Sequence, residues 1–217
     1  MQKKLLIIGG EGNGGVVASC IEDMTHRYDV NEWHIAGFIN DYTDSVLEYP
    51  VVGKTDDIAR FVNEGFFFSF AVHPIEKGLV RDRLFKKMTI PERQLATIVH
   101  PSSFIAQTAT ISSGAFIMSG CYIGHHTSIG KSAFIKANCS VFHHSKVGDL
   151  AHIVNGSTIG SYTEVGRASD VCMASTVLTK VKIGDFSVLG AKSLATRDIA
   201  DREVHVGTPA KYFRHVE

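Results

Sequence analysis

The chain of 217 residues has no net charge, because 22 Lys and Arg are offset by 22 Asp and Glu. That excludes a function organised by bulk charge, such as coating nucleic acid or an anionic membrane surface. It has no long apolar run either. The most apolar stretch, around residues 66–72, falls far short of the roughly 20 residues that a helix needs to span a bilayer. The segment Leu5-Leu6-Ile7-Ile8 near the N-terminus is too short for a secretory signal and is followed by no small-residue cleavage site. Cysteine is sparse and unpaired in sequence: Cys20, Cys121, Cys139 and Cys172 contain no C-x-x-C spacing, which argues against a disulfide framework. The expectation is a cytoplasmic protein with reduced thiols, no membrane insertion and no nucleic-acid partner. A hydrophobic content of 44% excludes a disordered chain. Two residue types are conspicuous: 20 glycines, and 11 histidines of which eight lie from His100 onward.

The two halves of the chain follow different grammars. Up to about residue 90, apolar runs alternate with amphipathic ones. Strands are predicted at Lys4–Ile8, His34–Ile39 and Gly65–Val72, and helices at Val16–Met24, Asp56–Asn63 and Gly78–Met88. Strands alternating with helices imply a parallel sheet with helices on its faces. Beyond His100-Pro101 the period becomes six. Starting at Phe104, the second residue of fifteen consecutive hexads is aliphatic, from Ile105 to Leu189, and the sixth is Ala, Cys, Thr or Ser in fourteen of them. Period six belongs neither to a helix nor to a plain alternating strand. It predicts a solenoid in which each hexad forms one flat face and three hexads close a triangular coil. The aliphatic residue fills the core, and the small residue allows the corner. Residues 18 apart then stack in one column.

This hexad pattern, together with Val206-Gly207-Thr208-Pro209-Ala210-Lys211, resembles the hexapeptide-repeat acyltransferases, whose solenoid is a left-handed parallel β-helix. The N-terminal segment Ile8-Gly9-Gly10-Glu11-Gly12-Asn13-Gly14-Gly15-Val16-Val17 and the strand end Gly37-Phe38-Ile39-Asn40-Asp41 resemble the sialic-acid O-acetyltransferase-like family. That family includes N-acetyltransferases of nucleotide-linked 4-amino-4,6-dideoxy sugars. The fold so implied is a small α/β Rossmann-like domain, residues 1–98, followed by an all-β left-handed parallel β-helix, residues 99–217. The implied activity is transfer of an acetyl group from acetyl-CoA to a nucleotide-linked amino sugar in surface-glycan biosynthesis, by a homotrimer. Sialic-acid-type O-acetylation is the alternative within the family.

Gly10-Glu11-Gly12-Asn13-Gly14-Gly15 contains a G-x-G-x-x-G match between a strand and a helix, a geometry that brings backbone N–H groups to phosphates. Taken alone it suggests a dinucleotide. Three strand–helix units are too few for a full dinucleotide fold, and no acid closes the second strand in the ribose-binding manner, since Asn40 precedes Asp41. The family resemblance implies a nucleotide-sugar site instead, contacted by Glu11, Gly12, Asn13, Asn40 and Asp41, with His73 where the family usually has glycine. Asn13 stands in place of a family histidine, so the base and the sugar stay open.

His125-His126 and His143-His144 are 18 residues apart and share a column. Stacked histidines raise zinc binding, as in the γ-class carbonic anhydrases that share this solenoid. The segment from His143 to His152 resembles the family sequence H-[DE]-C-x-I-G-x-x-x-H. By that match His143 is the general base and His152 lies beside the thioester. His144 occupies the position of the acid that assists the base, so the two histidines together form the expected catalytic group, and no metal is expected. Along the solenoid the resemblance assigns acetyl-CoA to His152, Ser161, Met173, Ala191 and Lys192. Lys180, Arg197 and Lys211 are further candidates for its phosphates. Cys121 and Cys139 sit at sixth positions and are expected to be corner residues, not nucleophiles.

Overall fold

The computed structural model describes residues 2–217. The N-terminal part begins with β1 (Lys3–Ile8), α1 (Asn13–Tyr28) and β2 (Trp33–Ile39). It continues with β3 (Ser45–Val46), β4 (Tyr49–Gly53), α2 (Ile58–Asn63), β5 (Phe67–Phe70) and α3 (Gly78–Lys87). The sheet order is β3-β4-β2-β1-β5. β5, β1, β2 and β4 are parallel, and β3 turns back antiparallel on β4. The three strands and three helices read from the sequence are present. α1 starts earlier than expected, inside the glycine loop, and runs on to Tyr28, where Asp29 in a left-handed conformation (φ 53°) ends it. Lys54 to Asp57 form a tight turn ahead of α2, which is therefore shorter than predicted. The β3–β4 hairpin was not anticipated: β3 is two residues long and β4 carries Pro50, and such short edge strands give almost no periodic signal.

From Ile98 onward two-residue strands recur every six residues. They build three parallel sheets, with each strand bonded to the one 18 residues later, as in Tyr122↔Ser140 and Phe134↔His152. The third sheet closes on a C-terminal antiparallel pair, Glu203–Val206 with Lys211–His215. The second-position aliphatics, among them Ile117, Ile135, Ile153, Val171 and Leu189, are fully buried in one continuous core. Two distinct devices turn each corner. The fifth residue of every hexad from Gly114 to Lys192 has positive φ, including bulky residues such as Leu150 (58°), Tyr162 (59°) and Phe186 (58°). The sixth residue is small because it points inward at the corner. Its hydroxyl often donates to a carbonyl 15 residues on: Ser145 Oγ to Gly160 O (2.7 Å), Ser157 Oγ to Cys172 O (2.8 Å), Ser169 Oγ to Gly184 O (2.6 Å). The stacked coils thereby satisfy carbonyls that a dry corner would strand. Cys121 and Cys139 do the same more weakly through sulfur, at 3.2 Å from Lys136 O and Val154 O. All four cysteines are buried and free.

One face of the triangle is not in water. The first-position residues of the third sheet are Phe116, Phe134, His152, Asp170 and Val188, and every one is buried. Phe116 and Phe134 join the core of α1, β1 and β2, while Leu150 and Ala168 join that of β5 and α2. On the other two faces the same hexad position holds residues such as Phe104, Tyr122, Lys146, Glu164 and Lys182, all exposed. The N-terminal domain thus seats on one flank of the solenoid and leaves two open. Among the described residues no helix is long and apolar enough to cross a membrane.

Candidate active site

The loop after β1 lies at the C-terminal edge of the parallel sheet, where α/β folds place their ligands. Gly9 has φ 149° and passes close to Ala71, whose carbonyl oxygen would lie 3.2 Å from a Cβ there, so a side chain is excluded. Asn40 Nδ2 donates to Gly9 O (3.1 Å) and Asn40 Oδ1 accepts from Tyr42 N (2.8 Å). The Asp41 carboxylate accepts from Thr55 N (2.8 Å) and Thr55 Oγ1 (2.9 Å). Glu11 and Gly12 are exposed at the tip. Asn13 bridges the domains: its Nδ2 donates to His73 O (3.2 Å) and its Oδ1 accepts from Lys136 Nζ (3.2 Å). The structure therefore brings Glu11, Gly12, Asn13, Asn40 and Asp41 to one edge. It adds Lys136 of the solenoid, a partly buried ammonium whose pKa burial lowers. Sequence alone gives Lys136 no role, because its position against the glycine loop depends on how the domains dock.

His73 differs from expectation. Only its carbonyl reaches the loop. The ring is buried in the seam between the domains, against Phe134 (4.8 Å between centroids), Phe70 (5.4 Å) and His152 (5.6 Å). His152 is also buried, with its Nδ1 3.5 Å from Asp170 Oδ1 but outside hydrogen-bond geometry. None of the four ring nitrogens has a partner among the described residues. Burial, helped by the nearby Arg81 charge, pushes the His73 pKa well below 6.5, and burial also lowers that of His152. Asp170 is held instead by Arg81 of α3, through Nη1 (3.1 Å) and Nη2 (3.0 Å), and by Glu76 N (2.9 Å). Arg81 and Asp170 are both essentially inaccessible to water.

The other histidines crowd one corner of the solenoid. His125 and His143 stack in parallel at 4.7 Å (2° between planes), and His126 and His144 lie 4.9 Å apart one residue on. Tyr162 continues the column by stacking on His144 at 4.9 Å. His143 Nδ1 lies 3.0 Å from His144 Nδ1, a hydrogen bond with one proton between two nitrogens. Loss of water contact, then the charges of His126, His125 and His143, lower the His144 pKa. His144 thus favours its neutral form and can accept that proton.

Two grooves flank this geometry. One, of about 390 Å³, runs along the open face beside His143 and is lined by Phe142, Ser161, Leu178 and Thr179. The other, of about 350 Å³, lies at the next corner between Met173, Ala191, Val206 and Phe213, with Ile75 and Glu76 of the N-terminal domain at its edge. The expected acetyl-CoA residues are therefore divided: Ser161 is with His143, Met173 and Ala191 are in the second groove, and His152 lines neither. Lys192 is exposed beside Ala191. A larger hollow of about 510 Å³ between α1 and β4 contains none of the expected site residues.

Comparison with known proteins bears on the fold and its domain order. Residues 4–88 match the PglD N-terminal domain, and residues 99–206 match the GMPPB C-terminal domain. No functionally curated protein matches the chain significantly in sequence. The structure is similar to PerB from Caulobacter crescentus, solved in complex with CoA and GDP-perosamine, at 25% identity and TM-score 0.83, covering 97% of each chain. A variant of that GDP-perosamine N-acetyltransferase with one histidine replaced by alanine matches at 26% identity and TM-score 0.82, again over 97% of each chain. The acetyltransferase domain of PglB from Neisseria gonorrhoeae shares the fold at 22% identity and TM-score 0.62, covering 98% of this chain and 100% of that one. Both domains, their order and nearly the full length agree with the nucleotide-sugar N-acetyltransferases built on a hexapeptide-repeat solenoid, the family that the chain resembles.

Proposed function

We propose that the protein is an acetyl-CoA-dependent N-acetyltransferase acting on a nucleotide-linked 4-amino-4,6-dideoxy sugar, working in surface-glycan biosynthesis as a cytoplasmic homotrimer. The observation that carries this reading is the His143–His144 hydrogen bond of 3.0 Å at the mouth of an open groove. It sits in a chain similar over 97% of its length to a structure holding CoA and GDP-perosamine.

The chemistry follows from the tautomer. When His143 donates Nδ1–H to His144, its Nε2 is free to accept a proton. The neutral sugar amine attacks the thioester carbonyl carbon, forming the C–N bond. The amine proton passes to His143 Nε2, the C–S bond breaks, and the departing thiolate takes that proton to leave as CoA thiol. His144 performs the orienting role that an acid has in the family pattern. Residues 1–98 supply the nucleotide end: Glu11, Gly12 and Asn13 at the loop tip, Asn40 and Asp41 behind it, and Lys136 across from Asn13 as a cation for the phosphates. Residues 99–217 supply the acyl end through Ser161, Met173, Ala191 and Lys192. His73 and His152 shape the seam on which the loop rests, and no open surface gives His152 access to the thioester. In the proposed trimer the His143 groove of one protomer would face the Met173–Ala191 groove of the next.

The test is CoA thiol release against UDP-, GDP- and dTDP-linked 4-amino sugars, with GDP first. Release that needs the free amine is the expected result. Release with hydroxyl acceptors alone assigns O-acetylation instead, and no release with any acceptor removes the proposal. Light scattering should give three times the 23.7 kDa chain mass; a monomer under active conditions defeats the trimer.

A further inference from the structure

We infer that the histidine corner is also a binding site for one zinc-class divalent cation, held by His125, His126 and His144, and that an ion there withdraws His144 from His143. One ring nitrogen from each of the three residues lies within 4.8 Å of the other two. Imidazole nitrogens bind zinc at about 2.0–2.1 Å, so tetrahedral ligands stand roughly 3.4 Å apart. Exposed rings close that remainder by small side-chain rotations. Imidazole-only sites favour zinc, nickel or copper over calcium or magnesium, which need oxygen.

The backbone presents these rings in advance. His126 and His144 hold the same left-handed conformation, φ 54° and 58°, on consecutive coils. His144 N donates to His125 O at 3.0 Å, locking the coils in register. A ligating histidine needs its second nitrogen satisfied, and His144 already has a partner in His143 Nδ1 at 3.0 Å. Three protein ligands leave the fourth position to water.

Occupation changes that hydrogen bond whichever nitrogen the ion takes. If the ion takes Nε2 of His144, the His144 proton stays on Nδ1 and is donated to His143. The proton of His143 then sits on Nε2, the nitrogen that has to accept one. If the ion takes Nδ1, the bond to His143 is lost. This second half of the inference rests on the proposed function; the binding site itself does not.

The experiment uses the full-length chain without an affinity tag, treated with chelator and titrated with zinc chloride by calorimetry, with metal content measured after desalting. One zinc per chain is expected. His126→Asn is expected to weaken binding at least about tenfold. Asparagine suits the left-handed backbone, as Asn138 shows at the equivalent corner position (φ 59°), and a thermal melt verifies the fold of the variant. No stoichiometric zinc, or equal zinc in wild type and variant, overturns the site. CoA release is then compared at the same free zinc, so that chelation by CoA affects both proteins alike. Wild type should slow and recover with chelator, while His126→Asn should resist. Zinc bound without slowing overturns the link to His143. Failure of the metal-free protein to release CoA with any amino sugar counts against the proposed function and leaves the titration as it stands.

Discussion

The molecule keeps two groups of histidines under opposite conditions. At the solenoid corner, His125, His126, His143 and His144 are stacked and open to water, and His143 and His144 share a hydrogen bond. In the seam, His73 and His152 are buried, face each other at 5.6 Å and have no hydrogen-bond partner for any ring nitrogen among the described residues. His143 and His152 are only nine positions apart in sequence. Hexad phase separates them. Fourth and fifth positions fall on corners, where a ring can meet a substrate. A first position on the third sheet falls under the N-terminal domain. The proposed acid–base chemistry falls to the first group, and the second group packs between the domains.

The sharpest way to break that comparison is to remove one ring from each group. His143→Ala should lower turnover by about 10²–10⁴-fold, with the melting temperature unchanged because the side chain is outside the core. His152→Ala should act on stability first. If steady-state assays instead show His152→Ala crippled in turnover with an intact melt, and His143→Ala near normal, the assignment of the two groups is reversed.

The seam should be the more fragile region. Asp170→Ala leaves the Arg81 guanidinium buried at 0% exposure with, among the described residues, only the Ala168 carbonyl for a partner. Breaking a buried pair from one side typically costs about 3–5 kcal/mol. Urea unfolding should register that loss. An exposed pair such as Lys182–Glu164 (3.4 Å) should contribute less than about 1 kcal/mol when broken. Similar losses from both would mean that the seam is wetter than its geometry implies.

The contrast also marks what was legible in the chain. The second-position aliphatics reported the solenoid directly, because a core that repeats every six residues repeats its chemistry too. The corner was legible for the same reason: His125 and His143 occupy equivalent positions in consecutive coils. The seam was not. Phe134, His152 and Asp170 share a column with Phe116, but nothing in a period of six tells which of three faces another domain will cover. That choice is made by shape, and it moved His73 and His152 from expected ligand contacts to interior residues. Lys136 escaped a definite role on the same ground. Asn40 and Asp41, expected nucleotide contacts, brace the loops in the structure, a task that a side-chain amide and a carboxylate perform through local backbone groups.

Acid should open the seam before the corner. Both seam imidazoles have lowered pKa values in the folded chain, His73 well below 6.5. Below the ordinary histidine pKa the unfolded chain binds protons that the folded one does not, so stability falls as pH drops from about 6.5. His73→Leu removes one titrating ring without leaving a polar atom unpaired. Its melting temperature should depend less on pH between 7 and 5 than that of wild type. Identical slopes would show that the acid response comes from elsewhere.

The glycine loop should affect binding alone, and it separates the nucleotide end from the acyl end. Gly12 is exposed at the tip, and a Cβ built there meets nothing within 4 Å. Gly12→Leu should therefore leave the melting temperature and the trimer alone. Its side chain would occupy the space above the N-terminus of α1, where a diphosphate would approach the backbone N–H groups. A tenfold rise in KM for the nucleotide sugar, about 1.4 kcal/mol of lost binding, is expected, with KM for acetyl-CoA and kcat essentially unchanged. Uniform weakening of this kind signals an interaction made equally in the ground and transition states, as a nucleotide handle remote from the reacting amine should be. If KM for acetyl-CoA rises in parallel, the loop serves both substrates and the division of labour between the two domains fails.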